Sequence, residues 1–402
     1  MSSQPNSIIR RRRVFYVPGY DPIHPRRYRE LYRKEGKEQA KITGYALDLK
    51  PKTSRGRYGW QVETTIEGEA VKTDIDVLFW SDIVRDSMET GIPGTYLQLV
   101  RTAWAYIGSG ALFRLMRLRK GPVIAALYPV GFLLAQLGIA LLIAWGLGRA
   151  LALLHPLVAW GGLLSVPFVL EWFRRKDNKF FAYYLMHDYA YSARHMGANP
   201  PELEARMTEF ADEIAEALRS DVDEVLVVGH SSGAHLAVSI LADLIRAGRV
   251  PEHGPLLSFL SLGQVVPMVS FLPAATRLRA DLAYLSARDD LTWVDVTAPG
   301  DGCAFALCDP VAVTGVAPND KRWPLVISAA FTQTLSPERW KALRWRFFRL
   351  HFQYLCAFDR PGDYDYFQIT AGPQTLGARY AGRAPSPSRI ETPVSKFTDV
   401  AA

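Results

Sequence analysis

Residues 121–170 read GPVIAALYPVGFLLAQLGIALLIAWGLGRALALLHPLVAWGGLLSVPFVL, with Arg149 the one certain charge. A helix that crosses a bilayer needs about 20 mostly apolar residues. The block holds two such segments, Val123–Leu147 and Ala150–Leu170. Gly146, Gly148 and Arg149 mark a short break between them, which predicts a helical hairpin that enters and leaves on one side. Arg114, Arg117, Arg119 and Lys120 precede it, and Arg174, Arg175, Lys176 and Lys179 follow. Positive flanks favour the cytoplasmic face, so an integral membrane protein with its polar parts in the cytoplasm is expected. The competing reading is a buried helical pair in a soluble core. Pro129, Gly131, Gly138, Pro156 and Pro167 weigh against it, because membrane helices tolerate such residues better.

The formal net charge of +7 is accounted for by this apposition to a bilayer, and no nucleic-acid-binding motif accompanies it. Upstream, Leu97–Arg119 mixes Trp104, Tyr106, Phe113 and Leu115 with four arginines. It reads equally as an amphipathic segment lying on a membrane and as a helix covering the folded core. The three cysteines, Cys303, Cys308 and Cys356, form no C-x-x-C pair. Neither a disulfide framework nor a zinc site is expected, and a reducing compartment fits. MSSQPNSIIRRRR carries no apolar run after its charges, so no cleavable signal peptide is expected.

The polar parts alternate strand and helix. Arg13–Val17, Thr43–Leu49, Trp60–Glu67 and Asp76–Trp80 are strand candidates before the apolar block; Glu224–Val228, Leu256–Leu262 and Leu291–Thr297 follow it. Helices are expected at Pro25–Ala40, Phe180–His195, Pro201–Leu218, Ser232–Arg246 and Ala274–Ala287. This alternation predicts an α/β fold with a mostly parallel sheet covered by helices on both faces. The strands before the block have too few helices for a domain of their own. The expected organisation is therefore one α/β domain in two parts, 1–96 and 171–381, separated by the basic amphipathic segment 97–120 and the transmembrane hairpin 121–170. Residues 382–402, small, polar and Pro-containing, read as a flexible tail.

Within VDEVLVVGHSSGAHLAV, Gly229–Gly233 spell G-H-S-S-G between a buried strand and a helix apolar nearly all round. A serine hydroxyl is a weak nucleophile that needs a base and a place for the oxyanion. A sharp strand-to-helix turn with small residues two before and two after can expose it. On this motif and the element order around it, the chain resembles the α/β-hydrolase superfamily, specifically lipase- and esterase-like serine hydrolases.

The resemblance implies a triad in the chain order serine, acid, histidine. Ser231 is then the nucleophile. His351, the one histidine beyond the later strands, is the base. Asp301, just after the Leu291–Thr297 strand, is the favoured acid, with Asp309 as the alternative. The oxyanion hole would use the N–H of Ser232 and one from PGYDP, at Gly19 or Tyr20, with Tyr20 preferred. The superfamily's usual H-G pair is P-G here. No cofactor and no metal is implied. The expected function is a membrane-anchored serine hydrolase cleaving an acyl ester, with lipid esters suggested by location. The alternatives are a non-catalytic membrane scaffold on the same fold and an acyltransferase using the same serine. Oligomeric state and protein partners are not legible.

Overall fold

The computed structural model describes residues 8–52 and 56–400; the first part of the N-terminal stretch read for a leader lies outside them. Eight strands form one sheet: β1 (Arg11–Val17), β2 (Ala46–Pro51), β3 (Gly59–Ile66), β4 (Glu69–Val77), β5 (Glu224–His230), β6 (Leu256–Leu262), β7 (Leu291–Thr297) and β8 (Leu325–Ser328). Their order is β2-β3-β4-β1-β5-β6-β7-β8. β2–β3 and β3–β4 pair antiparallel, and every pairing from β4–β1 to β7–β8 is parallel. Strands from both sides of the apolar block thus share one sheet.

Strand residues alternate between two cores. Phe15, Val17, Val225, Val227, Phe259 and Trp293 face helices Pro201–Ala217, Ser232–Arg246 and Thr276–Ala287. Val14, Tyr16, Leu226, Val228, Leu260 and Val294 face the helix Arg26–Thr43 and the C-terminal residues around Tyr354 and Phe367. Each fully buried aliphatic or aromatic side chain contributes about 1.5–3 kcal/mol of transfer free energy. At the start of β1 the fully buried Arg12 pairs with Glu224 at 2.6 Å. Arg12 also donates to Gly372 O, while Glu224 accepts from Ser258 Oγ and Leu376 N. These added bonds compensate the desolvation that a buried ion pair otherwise leaves uncovered.

Some local details differ from expectation. The fourth strand ends near where Asp76–Trp80 was expected to begin, because Glu67 and Gly68 (φ 55 and 81) make a tight turn that folds β4 back on β3. β8 escaped the reading: it is four residues long, too short for a periodic signal. Residues after Gly382, expected as a flexible tail, lie against the domain instead. Ser386 N donates to Val326 O, Ile390 N to Leu307 O and Val394 N to Val313 O. The fully buried Arg279 pairs with Asp399 at 3.0 Å. Backbone pairing and scattered apolar residues hold this strap, so its Pro-containing composition costs it regular structure but not contact.

Among the described residues two helices are long and apolar enough to cross a membrane, Lys120–Leu151 and Pro156–Arg175, of 32 and 20 residues. Only 22% and 11% of their most apolar stretches are buried. The expected break at Gly146–Arg149 does not occur. The first helix runs through it, and the chain turns at Ala152–His155. The glycines serve close approach: a Cβ on Gly162 would lie 2.2 Å from Ala144 O, and one on Gly148 would lie 2.8 Å from Ala159 O. Small residues one turn apart let two helix backbones meet in this way. Leu97–Arg119 is helical in two pieces, Ile92–Gly108 and Ala111–Leu118. One face covers the folded core and the other is exposed. Leu99, Ala105, Tyr106 and Leu115 are buried, while Trp104 is 72% exposed and Phe113 60%.

Candidate active site

β5 ends at His230 and the helix Ser232–Arg246 begins two residues later, so Ser231 must turn the chain alone. It does so at φ 57 and ψ −122, a conformation costing a non-glycine residue about 1–3 kcal/mol. The turn is pinned by Ser231 N donating to Leu262 O at 2.9 Å and Ala234 N donating to Ser231 O at 3.1 Å. The flanking glycines are required by contact. A Cβ on Gly233 would lie 2.0 Å from Val17 O, and one on Gly229 would lie 2.8 Å from Ala234 Cα.

The PGYDP loop after β1 runs directly over the serine: a Cβ on Gly19 would lie 3.0 Å from Ser231 Cβ and 3.4 Å from its Oγ. Trp80 Nε1 donates to Pro18 O at 3.0 Å, and Tyr184 Oη donates to Tyr20 O. Among the described residues, neither Ser232 N nor Tyr20 N donates a hydrogen bond. The two backbone donors named for an oxyanion hole therefore both border Ser231 and are both free.

Asp301 and His351 come together from different elements. Asp301 follows β7, and His351 closes the short helix Phe347–His351. His351 Nδ1 lies 2.7 Å from Asp301 Oδ2. Tyr354 Oη donates to the same oxygen at 3.0 Å, and Cys303 N donates to Oδ1 at 2.9 Å. Burial alone would raise the Asp301 carboxyl; the charge and hydrogen bond of His351, with these other donors, outweigh it and hold the group below its ordinary value. Asp309, the alternative acid, is placed elsewhere. It caps the helix Pro310–Thr314 through Val311 N and Ala312 N and pairs with Lys321 at 2.7 Å.

His230 Nε2 lies 3.0 Å from His351 O, which steadies the backbone under the imidazole. Burial and the neighbouring His351 lower the His230 pKa to about 3, so it is neutral at pH 7. Ser231 and the His351 ring border the same cavity, of about 1120 Å3, together with Gly19, Tyr20 and Ser232. Among the described residues no hydrogen bond joins Ser231 Oγ to His351. Catalytic hydrogen bonds are often long without substrate and tighten when it binds.

Two residues at or beside the site were not singled out by the sequence. Asp188 lines the cavity, and burial pushes its carboxyl up to about 7. Near neutrality it is partly protonated and able to donate a hydrogen bond. Tyr354 could have been found from RLHFQYL, where it stands one helical turn after His351. Asp188 carried no such signal. Asp301, Cys303 and His351 each offer a ligand atom within 4.8 Å of the others. The Asp301–His351 hydrogen bond already uses two of these groups. Burial raises the Cys303 pKa well above its ordinary value, which favours the thiol over the thiolate a metal requires.

The sheet order, the turn at Ser231 and the Asp301–His351 pair describe an α/β fold with a mixed, mostly parallel eight-stranded sheet. No protein-family model, curated protein or solved structure matches the chain.

Proposed function

We propose that this protein is a membrane-anchored serine hydrolase of the α/β-hydrolase type that cleaves acyl esters. One observation carries the reading. Ser231 stands on a strained strand-to-helix turn, at a cavity shared with a histidine whose Nδ1 is bound to a buried carboxylate. In the proposed mechanism His351 Nε2 removes the Ser231 proton as Oγ attacks the ester carbonyl. The N–H groups of Ser232 and Tyr20 receive the oxyanion. The imidazolium then protonates the leaving alcohol. Water activated by His351 releases the acid, and Asp301 keeps the imidazole oriented throughout. Two exposed apolar helices support anchoring, and their basic flanks support a cytoplasmic domain. The cavity lies at the upper end of ordinary ligand-site volumes, which suits a long acyl chain.

The missing Ser231–His351 hydrogen bond favours a second reading, a scaffold that keeps the fold without the reaction. A fluorophosphonate probe on the full-length protein in detergent separates the two. We expect covalent labelling that disappears in Ser231→Ala and falls by about 100-fold or more in His351→Gln. A label that survives Ser231→Ala overturns the assignment, and a folded protein that never labels supports the scaffold.

A further inference from the structure

The segment Arg344–Phe347 reads RWRF and is exposed at every position, with Trp345 at 73% and Phe347 at 48%. Together with Arg349 it presents three cations, at 344, 346 and 349. Among the described residues none of them has an acidic partner within salt-bridge distance. Arg344 stacks over the Trp345 ring at 5.6 Å. Arg344 covers only part of the Trp345 ring, so exposed aromatic surface and unpaired, hydrated arginines stand side by side here.

The place of this segment gives it meaning. Gly302, next to Asp301, is wedged between the foot of the apolar hairpin and the segment itself. A Cβ on Gly302 would lie 3.2 Å from Phe347 Cδ1, and one on Gly121 would lie 3.2 Å from Gly302 O. Arg119 Nε donates to Ala306 O at 2.8 Å, which fixes that foot to the loop carrying Asp301. The exposed rings therefore lie beside the first turn of the apolar helix. The cavity reaches the same place: Pro122, Phe181, Arg346 and Phe348 all line it. His351 closes the short helix that Phe347 begins.

Resting on the membrane-anchored reading above, we infer that Arg344–Phe347 is a second membrane contact, seated on anionic lipid headgroups beside the hairpin. Trp345 and Phe347 enter the interfacial layer and the arginines meet the headgroup phosphates. A tryptophan suits that layer because it is apolar along its body and polar at one edge. Seated this way, the cavity mouth opens onto the bilayer, and an acyl ester can pass from lipid to Ser231 without crossing water. A flat apolar protein partner would not call for three unpaired cations around two rings.

The test uses the full chain reconstituted in phosphatidylcholine vesicles with or without phosphatidylserine. An environment-sensitive fluorophore is attached at Trp345→Cys or, separately, at Trp145→Cys in the hairpin. Background from the native cysteines is measured on the unsubstituted protein. We expect lipids with brominated chains to quench both labels. Quenching at 345 should strengthen with phosphatidylserine, while that at 145 stays the same. Arg344→Gln should lower the docked-to-undocked ratio at 345 by about fivefold, the worth of one cation near an anionic surface. Quenching at 145 but not at 345 overturns the inference and leaves the anchor intact. No quenching at 145 overturns the anchored reading itself. Quenching at 345 that ignores phosphatidylserine overturns the headgroup assignment. In the Trp345→Ala variant, fluorophosphonate labelling should be unchanged, while hydrolysis of a bilayer-embedded ester falls about tenfold relative to a short soluble ester. Equal losses on the two esters also overturn the inference.

Discussion

At the scale of single residues, Ser231 joins a sharp strand-to-helix turn to a strained backbone. The positive φ that lifts Oγ away from the strand is tolerated because Gly229, Gly233 and Gly19 leave room for three backbones to meet. Gly233→Ala places a methyl group 2.0 Å from Val17 O. It should cost about 3 kcal/mol or more by chemical denaturation and abolish fluorophosphonate labelling. Asp295 gives a separate test under the sheet. Its Oδ1 accepts from Ser261 Oγ, its Oδ2 is buried without a partner, and burial pushes its pKa up to about 8. An acid raised in the folded state keeps its proton there while the unfolded chain gives it up. Its favourable contribution is therefore complete below about pH 4 and is lost as pH rises to about 8. Asp295→Asn should flatten that decline and raise the melting temperature at pH 8 relative to the parent. The sequence offered all three residues of the proposed triad as candidates: Ser231 from its motif, His351 as the single histidine beyond the last strands, and Asp301, with Asp309 as alternative, from its place after the Leu291–Thr297 strand. Asp188 was not legible, since its place at the cavity depends on distances created by folding.

At the scale of elements, the hairpin shows how one residue type supports opposite readings. Glycines in an apolar run look like a break when read along the chain, and across the chain they are contact points. Gly162→Val should splay the two helices and lower the melting temperature in detergent, because its side chain meets Ala144 O. Gly131→Val, where a Cβ meets nothing within 4 Å, should change little beyond helix propensity. The strands β5, β6 and β7 were legible because they are mostly apolar runs bounded by polar and turn-forming segments. β4 was displaced by a turn whose glycine sits outside the apolar run that marked the strand. Helix Lys120–Leu151 spans about 48 Å at 1.5 Å per residue, more than the roughly 30 Å of hydrocarbon in a bilayer. Its first turns are accordingly spent against the domain, where Val123 and Leu133 are buried.

At the scale of the whole molecule, the C-terminal strap ties distant parts together, since residues 386–399 touch β8, the loop after β7 and Arg279. Truncation after Pro385 should leave Arg279 buried without its carboxylate, lower stability by more than the roughly 1 kcal/mol of a half-exposed pair, and speed limited proteolysis. Composition suggested a loose end here because contacts spread over many residues leave no periodic mark. The sheet itself has a consequence in time. β1 is made first, yet one of its neighbours, β5, is joined to it through Arg12 and Glu224, 212 residues apart. Everything between them, the apolar hairpin included, is synthesised while that edge of the first strand is bare. Chain closure over such a distance is slow, and an unpaired strand edge invites aggregation. A fragment ending before Pro201 should accordingly precipitate or bind chaperones, and the sheet of the intact protein closes only after the hairpin has left the ribosome.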